Sequence, residues 1–157
     1  KGVVDVMASG VLADYPAIDV RVTLIDGSHH EVDSSDLAFR HAAMVCFRQA
    51  FLAAVPRLLE PIMTVDIATP DEHIGDIVGD LSRRRGKVLN LRRYRKGSQK
   101  IDAEAPLMEM FGYATALRSI SSGRANYSME IARFAPLPAA LMEEVLEEAH
   151  RRMRGAA

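Results

Sequence analysis

Apolar and polar positions change period several times along the 157-residue chain. Val3, Val4, Met7 and Val11 fall at helical spacing, with Gly10 as the stop. From Ala17 to Ile25, the apolar Ile18, Val20, Val22 and Leu24 alternate with Asp19, Arg21 and Thr23, the period of a strand with one buried face. Asp26-Gly27 is a tight-turn signal, and a short extended piece through His30 and Val32 follows. Asp33, Ser34 and Ser35 supply oxygens that can cap a helix. That helix is predicted over residues 36–54, where Leu37, Phe39, Ala43, Phe47, Ala50 and Phe51 cover more than one face and require a sheet over them. Pro56 closes it.

A second unit starts near Leu59–Pro61. Met63, Val65 and Ile67 alternate with Thr64 and Asp66 as a strand. Thr69-Pro70-Asp71-Glu72 has the form of a capping box with Pro at the first helical position. Ile74, Ile77, Val78 and Leu81 make the stripe of the helix it opens, Gly75 and Gly79 offer it a close approach to a sheet, and Gly86 ends it. Residues 87–93 and 99–105 read as strands joined by a turn at Lys96-Gly97. Pro106 opens a helix carrying Met108, Phe111, Ala114 and Leu117, with Gly123 as the stop. Gly112 inside it costs about 1 kcal/mol relative to Ala, so it marks either close packing or a surface that must approach something. In the last strand Ala125, Tyr127, Met129 and Ile131 alternate with Asn126, Ser128 and Glu130.

From Pro61 the order is β-α-β-β-α-β, the ferredoxin-like arrangement of a four-stranded antiparallel sheet with both helices on one face. The fold class is therefore α+β. It comprises a helix-strand-helix unit over residues 1–59, a ferredoxin-like domain over 60–135, and a terminal helix over 136–157 with Leu141, Met142, Val145, Leu146 and Ala149 on one side. Glu147–Arg151 and Glu148–Arg152 are spaced as i,i+4 pairs on that helix. The first unit leaves its strand without partners, the expectation for a domain cut at its front. The start at Lys1 without Met points the same way.

Composition is that of a globular protein, 48% apolar and 26% charged, and no apolar run approaches the ~20 residues of a membrane span. Cys46 is alone, so no internal disulfide is possible, and its apolar helix makes a buried, inert thiol the expectation. A net charge of −1 hides a local asymmetry. Arg83, Arg84, Arg85, Lys87, Arg92, Arg93, Arg95, Lys96 and Lys100 form a stretch without an acidic residue, while Glu143, Glu144, Glu147 and Glu148 load the tail.

The chain has no G-x-x-x-x-G-K-[ST] loop, nucleophile elbow, paired-Cys motif or H-E-x-x-H. His29-His30-Glu31-Val32-Asp33 gathers possible metal ligands, but neighbouring residues of an extended segment point to opposite sides, so an exposed turn whose polar tip meets a partner is the better reading. No metal site is expected. Arg83-Arg84-Arg85-Gly86-Lys87 either complements a helix C-terminus or contacts RNA phosphates. Tyr94 is the one aromatic in the basic stretch, so recognition of RNA by backbone and shape is expected, weakening with salt.

Several segments, in order and spacing, resemble elongation factor G over nearly the whole chain. They include Ser9-Gly10-Val11-Leu12-Ala13-Asp14-Tyr15-Pro16, Asp26-Gly27-Ser28-His29-His30-Glu31-Val32-Asp33, Leu59-Glu60-Pro61-Ile62-Met63, Gly75-Asp76-Ile77-Val78-Gly79-Asp80-Leu81, Arg84-Arg85-Gly86, Pro106-Leu107-Met108-Glu109-Met110-Phe111-Gly112-Tyr113-Ala114, Ser122-Gly123-Arg124-Ala125 and Tyr127-Ser128-Met129-Glu130.

The resemblance implies the C-terminal part of domain IV, an S5-like unit that reaches the decoding centre, followed by domain V, which faces the large ribosomal subunit. His30 matches the family's tip histidine, with His29, Ser28 and Gly27 beside it, and its implied role is contact with tRNA and mRNA. Arg83, Arg84, Arg85 and Lys87 are the implied rRNA contacts. GTP hydrolysis, with GTP and Mg²⁺, is implied for a G domain elsewhere in the parent protein. This stretch should need no cofactor and carry no catalytic residue. A cytoplasmic, monomeric ribosome partner is implied, with no membrane role.

His29 stands where the family often has Tyr, Leu91–Lys96 is more basic than the usual hairpin, and the chain carries Arg151-Arg152-Met153-Arg154 near its end. A recycling factor or another paralogue is the alternative within the family. A ferredoxin-like small-molecule regulatory module is the rival from another class, and a metal-dependent hydrolase on His29, His30 and Asp33 is the third.

Overall fold

The computed structural model describes residues 1–155, without the side chain of Met153. By its contacts the chain divides into two compact units, residues 58–137 and the segments on either side of them.

The first unit holds α1 (Gly2–Ser9) and α2 (Asp36–Ala53). Gly10 ends α1 at φ 80°, a region open to glycine, with its N–H on Val6 O at 2.9 Å. Ser35 caps α2 by accepting from Ala38 N–H at 3.1 Å. The two helices meet through Asp5, whose carboxylate accepts from Arg40 Nε at 3.0 Å and Nη2 at 2.6 Å, beside the buried Val6.

Residues 17–25 do not form the expected strand. Their alternation is present, but no second strand of this unit pairs with them, and Leu24 and Ile25 stand 89% and 94% exposed. A period of two specifies a strand only where a ladder and a core wait for it. On α2 only Phe47 is buried, with its ring 5.6 Å from that of Phe51. Leu37 and Phe39 are exposed, and so is Cys46, against the expectation of a buried thiol.

The second unit holds β1 (Leu59–Pro70), α3 (Ile74–Arg83), β2 (Lys87–Arg95), β3 (Ser98–Pro106), α4 (Tyr113–Ile120) and β4 (Asn126–Pro136). The sheet order is β2-β3-β1-β4 with every neighbour antiparallel, the ferredoxin-like α+β topology the alternation predicts. Met63, Val65 and Ile67 of β1 lie opposite Ala105, Ala103 and Ile101 of β3. These six side chains pack against Ile77 and Leu81 of α3 and Tyr113 and Leu117 of α4. A final helix, α5 (Ala139–Gly155), belongs to the first unit by contact and carries the Glu148–Arg152 pair.

The other sheet face is polar and internally matched. Lys100 lies 3.4 Å from Asp66, Arg92 2.6 Å from Asp102, and Arg133 2.5 Å from Glu104.

Two helix starts differ from expectation. β1 continues through Thr69, which is buried and caps nothing, and a 3₁₀ turn (Asp71–His73) intervenes before α3, so the capping box does not form. The helix expected from Pro106 is instead a 3₁₀ turn (Leu107–Met110) and the separate α4. Gly112 between them has φ 73° and open space around it, so the turn and not close packing needs the glycine. Gly75 and Gly79 likewise face open space rather than the sheet.

Candidate nucleic-acid interface

The tip residues sit in the loop that leads into α2. His30 N–H donates to Ser34 Oγ at 2.7 Å, and Ser34 N–H donates back to His30 O at 3.0 Å. This reciprocal pair closes a five-residue turn immediately before the capping Ser35. Upstream, Gly27 N–H donates to Asp26 Oδ1 at 2.7 Å. Gly27, Ser28, His29 and His30 are all exposed, with the His30 side chain 77% exposed. The backbone is thus fixed at the base of the turn while the imidazoles are free. His30 Nδ1 is 3.9 Å from Asp33 Oδ2, too long for a hydrogen bond. Among the described residues no group of three or more His, Cys, Asp or Glu is placed to hold a metal.

The four cations expected at the end of α3 divide into two kinds. Arg85 takes the left-handed conformation at φ 58°. Gly86 N–H returns to Leu81 O at 2.8 Å, and a Cβ on Gly86 would stand 2.7 Å from that oxygen. This tight stop turns Arg84 and Arg85 back onto their own domain. Arg84 pairs with Asp80 at 2.8 Å, donates to Glu109 O at 2.6 Å, and lies over the Tyr113 ring, 5.3 Å from its centroid. Arg85 pairs with Glu60, which is buried, and reaches Glu109 at 3.6 Å. The Glu60 bond holds the Arg85 guanidinium above its ordinary pKa against the opposing effect of burial. Arg83 is 76% exposed with only a 3.5 Å approach to Asp80, and Lys87 is exposed.

Asp80 four residues before Arg84 was legible as an i,i+4 pair. Glu60 and Glu109 were not, because only the fold brings them to Arg85 from 25 and 24 positions away.

Between α4 and β4 lies a groove of about 260 Å³ lined by Ala114, Leu117, Arg118, Asn126 and Tyr127. Arg118 and Asn126 help make its accessible lining largely polar, unlike the mostly apolar wall of a typical small-molecule pocket.

A helical unit carrying a closed, histidine-bearing turn and a ferredoxin-like domain with a polar outer sheet face define an α+β protein. Residues 1–55 match the family described as Elongation factor G, domain IV, and residues 57–145 the one described as Elongation factor G C-terminus. The chain belongs to the elongation factor G family. A crystal structure from Thermus thermophilus is similar at 35% identity and a TM-score of 0.87, covering 96% of this chain. The chain spans 23% of the length of that relative.

Proposed function

We propose that this chain is the ribosome-contacting portion of a translation elongation factor that acts in translocation, with His30 as the side chain that meets the tRNA–mRNA region of the decoding centre. The observation that carries the reading is the His30–Ser34 turn, with the exposed Gly27-Ser28-His29 run leading into it. Its backbone is tied at the base by the His30–Ser34 bonds, while its side chains are presented to solvent at the start of a capped helix. Such a tip can enter a narrow RNA site without losing its own order, which lowers the entropic cost of contact. His29, Ser28 and Gly27 flank it. No bond is made or broken by these residues; their role is steric and by hydrogen bonding.

Arg83 and Lys87 are the cations of the α3 turn available for rRNA phosphates, whereas Arg84 and Arg85 shape the domain that presents them. GTP and Mg²⁺ belong in this reading to a G domain of the parent protein, which works as a monomer in the cytoplasm. Among the described residues no helix is long and apolar enough to cross a membrane.

The test is His30→Ala in the full-length protein. Translocation is expected to slow about tenfold or more, equivalent to about 1.4 kcal/mol or above on the barrier. Ribosome-stimulated GTP hydrolysis should stay at its ordinary rate. Translocation at an unchanged rate would remove the role given to His30.

A further inference from the structure

The basic stretch of the sequence is not uniform once its partners are counted. Arg84, Arg85, Arg92 and Lys100 are matched by carboxylates at 3.4 Å or closer. Arg93, Arg95 and Lys96 are exposed and have no ion-pair partner among the described residues. All three lie at the tip of the β2–β3 hairpin, Arg93 and Arg95 on the edge strand β2 and Lys96 in the turn with Gly97 at φ 77°.

A second feature lies at the same place. The ladder steps from Arg93↔Gln99 to Arg95↔Ser98, so Tyr94 is an unpaired bulge residue. Tyr94 is 53% exposed, and the Arg95 guanidinium stacks over its ring at 5.0 Å from the centroid. Asp71 is tied to the turn by its N–H on Gly97 O at 3.1 Å, and its one carboxylate leaves the tip net positive.

We propose that the hairpin tip Arg93–Lys96 is a second RNA-binding element of the ferredoxin-like domain, in addition to Arg83 and Lys87. Arg93, Arg95 and Lys96 take backbone phosphates, and the Tyr94–Arg95 stack takes the face of an unpaired base. Unmatched cations supply salt-dependent affinity, and an exposed ring with a guanidinium beside it supplies a stacking platform. Cations on an edge strand also deter unwanted strand pairing. That role accounts for the cations and the bulge, but it does not need an exposed ring stacked with Arg95. An acidic protein surface would satisfy the cations but leave the ring without a matching face. The inference rests on the ribosome-docking reading only for the choice of ribosomal RNA as ligand.

The experiment measures binding of the full 157-residue chain to protein-free large-subunit rRNA and, separately, to intact ribosomes across a salt series. The combined variant Arg93→Ser, Arg95→Ser, Lys96→Ser is expected to lose about tenfold or more in rRNA affinity, with a log–log salt slope shallower by about two. Tyr94→Ala should lose several-fold with its slope unchanged, and Tyr94→Phe should bind as the parent does. Melting temperatures of these surface variants are expected to match the parent chain, so that any loss reads binding and not unfolding.

The inference is overturned if the triple variant binds rRNA with the parent's affinity and slope. It is also overturned if the parent chain fails to bind rRNA at low salt, or if the variant loses ribosomes while keeping rRNA, which would assign the hairpin to a protein partner. A parent chain that binds rRNA through the hairpin but not ribosomes would support this inference and count against the ribosome-docking reading.

Discussion

The Arg85 guanidinium straddles the Glu60 carboxylate, with Nη1 3.1 Å from Oε2 and Nη2 against Oε1, and Glu60 is only 7% exposed. The pair ties the second residue of β1 to the turn that ends α3. Removing one member leaves the other poorly solvated. Arg85→Ala is therefore expected to destabilise the chain by about 3 kcal/mol. The Arg85→Ala/Glu60→Ala double variant should lose less than the sum of the singles. Urea unfolding of the four proteins checks this, and additive losses would mean the two side chains act independently.

Arg84 holds the segment between β3 and α4 through the 2.6 Å bond to Glu109 O. Arg84→Ala should cost about 2 kcal/mol, the range for a hydrogen bond to a charged donor together with the carbonyl left unpaired. Amide exchange should quicken at Thr115 and Ala116, whose N–H groups both donate to Gly112 O at 3.2 Å. Phe111, 77% exposed on the same turn, should tolerate Ala within about 0.5 kcal/mol. Unchanged exchange in Arg84→Ala would show that Gly112 alone sets the break.

Tyr113 is 1% exposed, its hydroxyl has no hydrogen-bond partner among the described residues, and its ring meets that of Tyr127 edge-on at 5.1 Å. Burial, reinforced by Asp80, pushes the Tyr113 hydroxyl well above the ordinary phenol range. Tyr113→Phe keeps the ring contacts and removes an unpaired buried hydroxyl, so it is expected to be neutral or stabilising by up to about 1 kcal/mol. A loss above that size in thermal unfolding would mean the hydroxyl has a partner.

Asp102 on the polar sheet face is held below the ordinary carboxylate pKa, chiefly by its hydrogen bond to Arg92, against the opposing effect of burial. A depressed carboxylate contributes stability that is present above the unfolded value of about 3.9 and lost as pH falls through the folded one. The melting temperature should therefore fall more steeply below about pH 4 in the parent chain than in Asp102→Asn. Equal acid slopes would contradict the assignment.

The sheet was legible because β1 and β4 alternate cleanly, a turn at Lys96-Gly97 joins the two strands between them, and the β-α-β-β-α-β order leaves few compact topologies. The strand expected at residues 17–25 carries the same alternation and fails, because pairing is a property of two segments and no partner strand lies among the described residues of its unit. Thr69 reads as a cap but is captured by the ladder, opposite Gln99. Cys46 sits in an apolar run on a helix whose apolar circumference exceeds what its unit covers. At the candidate interface, the sequence identified the exposed histidine turn and the basic stretch. Which arginines are free depends on Glu60 and Glu109, which come together with Arg85 only after folding.

The most direct measurement places a cleavage reagent at the tip. In the full-length protein, with Cys46→Ser and any other thiols removed, His30→Cys carries a tethered hydroxyl-radical source, and cleavage of rRNA is mapped on the bound ribosome. Cuts concentrated in the small-subunit RNA around the decoding site are the result expected for a tip that enters it. Cuts confined to other regions, or none above the level of a thiol-free protein bound equally well, would contradict that placement and with it the reading of this chain as the decoding-centre end of an elongation factor.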